Sequence, residues 1–263
     1  MDFQFKENYN VADLIDIVEI LRSPEGCPWD REQDHKSIRR DFLEETYEVI
    51  EAINKNDKEL LLEELGDVLL QVVFHTQIER EQGTFELSDV ADGICKKMIE
   101  RHPHVFGEVK ADTSDQVLEN WDIIKKRTKK QKSQTESMLS IPREFPALMR
   151  ADKVQKKASK VGFDWDNAGG AFDKISEELA ELKIAVASGD KDNMREELGD
   201  LLFSVVNVSR FIGVDSEEAL TGSTDKFIDR FSKVEKMADE RGMNMKETDL
   251  SELDKLWDLA KKD

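Results

Sequence analysis

Apolar side chains return every three or four residues along most of this chain, the spacing that lines one face of an α-helix. The pattern runs over 38–54 and again over 59–82, with the polar turn "NKND" between them. It recurs over 171–187 and 191–212, there parted by "SGD", and predicts further helices over 88–101, 114–131, 215–241 and 249–262. "ALMRADKVQKKASKVGFDW" reads as a helix leading into the later pair and stopped around Gly162. Asp215 is placed to cap the helix after it, with Glu218 three residues on. No stretch alternates apolar and polar residues for long enough to make a sheet. The expected fold class is all-α.

The pattern repeats at long range. Residues 42–74 lie over 175–207 without a gap, at an offset of 133, and 14 of the 33 positions are identical. Upstream, "CPWD" ending at Asp30 matches "FDWD" ending at Asp166. Downstream, Lys97 and Arg101 stand four apart, as do Lys226 and Arg230, and each copy closes on WDxxKK at 121–126 and 257–262. All four tryptophans therefore pair, Trp29 with Trp165 and Trp121 with Trp257. The expected organisation is two tandem helical repeats, 1–132 and 146–263, each a bundle of roughly four helices, joined by a linker at 133–145. The basic and polar run before Pro142 and Pro146 marks that boundary.

Charge changes the picture. The chain carries a net charge of -19, with 37% charged and 38% hydrophobic residues, enough of the latter for a real core. So acidic a surface argues against nucleic acid and against anionic membranes as partners. The basic stretch 125–134 reads as a solvated linker. Cys27 and Cys95 have no zinc or CxxC spacing and are expected as free thiols. The N-terminus has no signal-peptide pattern, and no apolar run is long enough to span a bilayer. A cytoplasmic location is expected.

The acid is not spread evenly. EExxE occurs at Glu44, Glu45 and Glu48 and again at Glu177, Glu178 and Glu181. EELGD follows in each copy, supplying Glu64 and Asp67, then Glu197 and Asp200. Positions three apart share a helix face, and a short loop packs the two helices antiparallel, so each copy can gather four carboxylates. Buried together without compensation they would cost several kcal/mol per ion, at roughly the scale known for buried charges. An all-oxygen site for Mg²⁺, with Mn²⁺ as a possible substitute, removes that cost and takes the rest of its shell from phosphate. A ferritin-like di-iron centre needs Glu-x-x-His, which these sites lack. Gly66 and Gly199, inside helical patterns, suggest a close approach by a neighbouring helix or a ligand.

With these residues in view, the chain resembles the MazG family of nucleoside triphosphate pyrophosphohydrolases in its long, two-repeat form. "GCPWDREQ", "FLEETYEVIEAI", "EELGDVLLQVVFH", "RHPHVFG", "IPREFPALMRADKVQKKASKVGFDW" and "EELGDLLFSVV" carry the likeness, in order, over nearly the whole chain. The resemblance implies an all-α pyrophosphohydrolase fold, a homodimer, and Mg²⁺-dependent hydrolysis of an NTP to NMP and diphosphate, with the second repeat as the main catalytic unit. It implies metal ligands at Glu178, Glu181, Glu197 and Asp200, and nucleotide contacts at Lys174, Lys226, Arg230, Trp257 and Lys261. Asn193 stands where many members have a lysine. Water activated by the metal would attack the α-phosphorus, with Glu177 or a nearby carboxylate taking the proton.

Alternatives stay open at this point. Lys226 and Arg230 could be a snorkelling pair, and Trp257 a core or dimer-interface residue. Trp29 and Trp165 read mainly as structural. His102 and His104, around Pro103, read as turn-capping residues. A dUTPase-like enzyme of narrow base choice, and a non-catalytic scaffold dimer with structural metal sites, are the competing functions. The first repeat, with Glu45, Glu48, Glu64 and Asp67 intact, offers no reason in its own residues to be inactive.

Overall fold

The computed structural model describes residues 3–111, 113, 114, 116, 117, 120, 121, 124 and 133–261. Every regular element among them is a helix, so the all-α expectation is met. The chain divides into two compact units, Met1–Thr128 and Lys129–Asp263. The expected helix over 114–131, the basic run 125–134, and the lysines that close each WDxxKK lie largely or wholly outside the described residues.

In the first unit the helices are α1 (Val11–Arg22), α2 (Pro28–Glu32), α3 (Arg39–Lys55), α4 (Lys58–Glu81), α5 (Leu87–Arg101) and α6 (Pro103–Phe106). The core joins Val18 of α1, Ile38, and Val73, Phe74 and Ile78 of α4. Arg22 locks it from one side. Its guanidinium pairs with both Glu81 carboxylate oxygens at 2.8 Å, donates to the carbonyls of Asp30 and Gln33, and lies over the Phe74 ring. His102 caps the end of α5, its ring nitrogen against the Met98 carbonyl at 2.6 Å.

Sequence periodicity assigns nothing before residue 38, yet α1 is well formed. Asn10 accepts from the N–H groups of Ala12 and Asp13, and Asp13 accepts from the Asn10 N–H. This reciprocal cap uses Asn and Asp in place of the usual Ser and Glu, which hides it from a motif search.

The second unit has α7 (Gln134–Leu139), α8 (Ala147–Ser159), α9 (Ala168–Ser188), α10 (Lys191–Ile212), α11 (Ser216–Glu240) and α12 (Leu250–Ala260). Asp215 does cap α11, accepting from the N–H groups of Glu217 and Glu218. A cluster of Val234, Ala238, Leu256 and Ala260 holds α11 to α12. The stretch expected as linker, 133–145, differs from that reading: α7 packs on α8, and Lys157 donates to the Ser137 carbonyl at 2.7 Å. Under two turns long, α7 is too short to show a helical period.

Of the two alternatives for the mid-helix glycines, a neighbouring helix and a ligand, the packing within this chain bears only on the first. A Cβ at Gly66 or Gly199 would meet nothing within 4 Å among the described residues, so none of their helices crowds either one.

Candidate metal and phosphate site

Both units build the same hairpin. α3 ends at Asn56, which takes the left-handed conformation at φ 52°, and Asp57 immediately caps α4 through the N–H groups of Glu59 and Leu60. Gly189, at φ 76°, and Asp190 repeat the device between α9 and α10. A left-handed residue ends one helix and an aspartate starts the next, leaving no slack. The helices must then run antiparallel, and residues equally far from the turn share one height.

The carboxylates obey that symmetry. Glu48 stands eight residues before Asn56 and Glu64 eight after it, while Glu45 and Asp67 stand eleven away on either side. Glu181, Glu197, Glu178 and Asp200 keep the same distances from Gly189. At 1.5 Å per residue the inner pairs sit roughly 12 Å from the turn and the outer pairs about 16 Å.

In the second unit, oxygens of Glu178, Glu197 and Asp200 come within 4.8 Å of one another, and those of Glu177, Glu178 and Glu181 do the same. Glu178 belongs to both sets and is only 3% exposed, so the group is centred on a buried carboxylate. In the first unit Glu45, Glu48 and Glu64 form the equivalent set. Asp67 stands outside it, yet its charge reaches both Glu45 and Glu64.

Crowding shows in the protonation energetics. Burial first, then negative neighbours, pushes the Glu45 and Glu64 carboxyls above the ordinary glutamate range. Glu197 is raised the same way, by burial and then by Glu181, Glu178, Glu196 and Asp200. The Lys174 ammonium lies 2.5 Å from Glu178 and 2.9 Å from Glu177, and those bonds hold its pKa above that of a free lysine. One lysine does not balance five carboxylates. The donors are oxygen alone, with Glu178 buried and Glu197 half-buried, a set that fits a hard divalent cation such as Mg²⁺ or Mn²⁺.

The residues expected to contact nucleotide divide. Lys174 stands in the carboxylate group. Trp257 packs with the α11–α12 cluster and meets the Phe227 ring at 5.1 Å, Lys261 pairs with Asp258 at 2.9 Å, Lys226 is exposed and Arg230 half-buried. Among the described residues no hydrogen bond or ion pair joins these four to the carboxylates.

Sequence reasoning passed over what lies beside Lys174. A cavity of about 660 Å³ opens there, lined by Gln155, Phe163, Trp165, Phe203, Asn207 and Arg210 among others, with Lys174 in its wall. Trp165 is 43% exposed and lines this space, and Trp29 is 61% exposed. Gln155 is 5% exposed, and its Oε1 is buried without a hydrogen-bond partner. Such an orphan costs roughly 1–3 kcal/mol. One signal was available in the repeat: Asn207 occupies the position of Phe74, a polar residue where its twin is core.

Two segments of the chain, 33–106 and 171–235, match the MazG nucleotide pyrophosphohydrolase domain, and together they make up just over half its length. The chain belongs to the MazG family. Each matched segment contains one carboxylate set, whereas Gln155, Phe163 and Trp165 fall outside both. A Thermotoga maritima protein named nucleoside triphosphate pyrophosphohydrolase/pyrophosphatase MazG is 47% identical over 249 residues, 95% of this chain and 94% of the relative. Escherichia coli K12 has a nucleoside triphosphate pyrophosphohydrolase 43% identical over 252 residues, 95% of this MazG-family chain and 96% of that protein. YabN of Bacillus subtilis, an uncharacterised protein, is 46% identical over 246 residues, 93% of this chain but 50% of its own length.

Proposed function

We propose that this chain is a Mg²⁺-dependent nucleoside triphosphate pyrophosphohydrolase of broad ribo- and deoxyribonucleotide range, with its main site in the second unit. The observation that carries this reading is the pair of carboxylate sets, Glu178 with Glu197 and Asp200 and Glu178 with Glu177 and Glu181, that share buried Glu178, with Lys174 bonded to it. Glu178, Glu181, Glu197 and Asp200 would hold the cation. A bound divalent ion lowers the pKa of a coordinated water and draws charge from phosphate oxygens.

The chain's own residues do the rest. Lys174 exchanges a carboxylate partner for a phosphate oxygen, countering the repulsion an acidic protein exerts on a polyphosphate. Glu177, more exposed than Glu178 and already on the site's edge, accepts the proton of the attacking water. The new bond joins the water oxygen to the α-phosphorus, the bond from that phosphorus to its bridging oxygen breaks, and diphosphate leaves with the electron pair. Removal of nucleotides, as housekeeping or regulation, is the role this serves.

A homodimer is part of the proposal. Leu179, Ile184 and Val186 on α9, with Leu198, Leu202 and Val205 on α10, are exposed apolar side chains that a second copy would cover. Two free thiols, Cys27 and Cys95, suit a reducing cytoplasm. The charge of -19 favours neither nucleic acid nor membrane as partner, and no described helix is long and apolar enough to cross a bilayer.

Incubation with Mg²⁺ and each common NTP, followed by anion-exchange separation, tests the activity. NMP and diphosphate in equal amounts are expected. NDP with phosphate, or no turnover of any nucleotide, would overturn the reading.

A further inference from the structure

We propose that His35 and His75 form a proton-operated latch in the first unit. It fastens the strap 33–38 to α4 while at least one of the two facing ring nitrogens is bare, and lets go when both carry protons. The latch stands apart from the pyrophosphohydrolase reading and needs neither cation nor nucleotide.

Its parts form a chain of hydrogen bonds with one direction. The Thr84 hydroxyl donates to one Glu79 carboxylate oxygen, and the other lies 2.6 Å from His35 Nε2. Those contacts, the hydroxyl first, hold the Glu79 carboxyl below the ordinary glutamate range, so it accepts at neutral pH and His35 Nε2 carries the hydrogen. His35 Nδ1 faces His75 Nδ1 at 2.8 Å, with the rings 10° from parallel. When both rings are neutral, the hydrogen between them belongs to His75. One added proton keeps the N–H···N bond, because one of the two nitrogens still has its lone pair. A second sets N–H against N–H and places two positive charges side by side.

The surroundings oppose that second proton. Burial first, and then the His35 charge, hold the His75 imidazole below the ordinary histidine range. Its ring packs on Phe42 of α3 at 5.7 Å, while the His35 side chain is 40% exposed and open to protons from solvent. Charges on neighbouring elements are engaged elsewhere. On α1, Arg22 pairs with Glu81 and Glu19 with Arg80; on α3, Arg40 engages Glu44 and Asp41, and Arg39 is exposed. Ahead of α5, Glu86 faces Arg80 at 3.9 Å, and Asp34 of the strap accepts from the N–H groups of Lys36 and Ser37. Among the described residues, His35 is the one charge that acts on His75.

The latch holds the entry into α3. Its strap carries Ile38, 3% exposed and part of the core, with Phe42 one turn later and Glu45 of the carboxylate set next after that. The second unit has Val208 and Ile212 at the matched positions and no histidine, so the device belongs to the first unit alone. The folded pKa of His75 lies below its unfolded one, so the open strap binds more protons than the closed strap. Full strength is therefore kept above about pH 6.5 and is lost as pH falls below it.

The test is hydrogen exchange of the full chain in EDTA at about pH 7.5 and about pH 5.5, on either side of the free histidine value. It is read as protection factors for the hydrogen-bonded amides of Ile38 and Phe42, which divide out the intrinsic pH dependence of exchange. Whole-chain unfolding is a poorer readout, because Glu45, Glu64 and Glu197, with raised pKa values, gain stability over the same range. Wild-type protection is expected to fall several-fold at the lower pH, with about tenfold per pH unit as the ceiling for uptake of one proton. His75→Gln, whose amide can donate or accept and so suits His35 in either state, should show no such fall. Flat protection in wild type, or an equal fall in His75→Gln, would overturn the latch. Should His75→Gln not fold, NMR titration of the wild-type imidazoles decides. Two coupled steps, with both rings responding to the first, are expected; two independent titrations at the free histidine value would overturn it.

Discussion

The two units share one hairpin and one set of carboxylates, and they part company in what stands behind it. At the position of Phe74, which is 7% exposed and in the core of the first unit, the second has Asn207 lining a cavity. Where the second unit has Lys174 bonded to Glu178, the first has Asp41. Arg22, drawn across Phe74 to Glu81, closes the first unit; Arg210 faces Asp164 and Asn207 at the edge of an open space. Duplication thus left two copies of the carboxylate geometry, one backed by solid core and one by a cavity. A carboxylate cluster shows where a cation can sit. The space beside it shows where a substrate can.

The sharpest break of this comparison is Glu181→Gln against Glu48→Gln, symmetric positions in the two sets. We expect the first to lower kcat for diphosphate release more than about 100-fold and the second to leave over half of it. Equal losses would remove the distinction between the units. Next in size is stability. Arg22→Ala strips a side chain only 5% exposed from its carboxylate partner, and urea unfolding should show the first unit weakened by about 3 kcal/mol. Arg210→Ala should cost less, since its partner Asp164 borders a cavity rather than core. A greater cost there would mean that the cavity wall, not the packed unit, depends on its arginine.

The smallest effect concerns protons. Glu45, Glu64 and Glu197 have folded pKa values above their unfolded ones, so the native state binds more protons and stability rises as pH falls. In EDTA the unfolding temperature should therefore climb by a few degrees from about pH 7 toward about pH 5, above the ordinary glutamate value. Below that window Asp164, Glu79 and Glu81, all with lowered pKa, become protonated and stability is lost. Added Mg²⁺ should flatten the upper slope, and Glu48→Gln should flatten the first unit's share of it. A slope unchanged by Mg²⁺ would mean that the cation does not bind these groups.

The hairpins were legible because amphipathic helices of 17 to 24 residues carry many turns of the same period and end on an Asx or Gly signal. The carboxylates were legible for a related reason: spacing of three on a helix is geometry already. The surroundings of Trp165 were not legible, because "FDWD" matches "CPWD" and a matched motif says nothing about whether its ring faces core or space. α1 and α7 escaped through an unusual cap and a short length.

Sequence alone determined the helices, the duplication and the register of the acidic side chains, because each follows from contacts between residues close along the chain. Only the tertiary structure decided that Gln155 of α8, Trp165 ahead of α9 and Asn207 of α10 border one cavity at the flank of Lys174. Their separation spans some fifty residues, and nothing in the local chemistry of any one of them reports the others. A void is a property of what packing fails to fill, and no single stretch of chain encodes it.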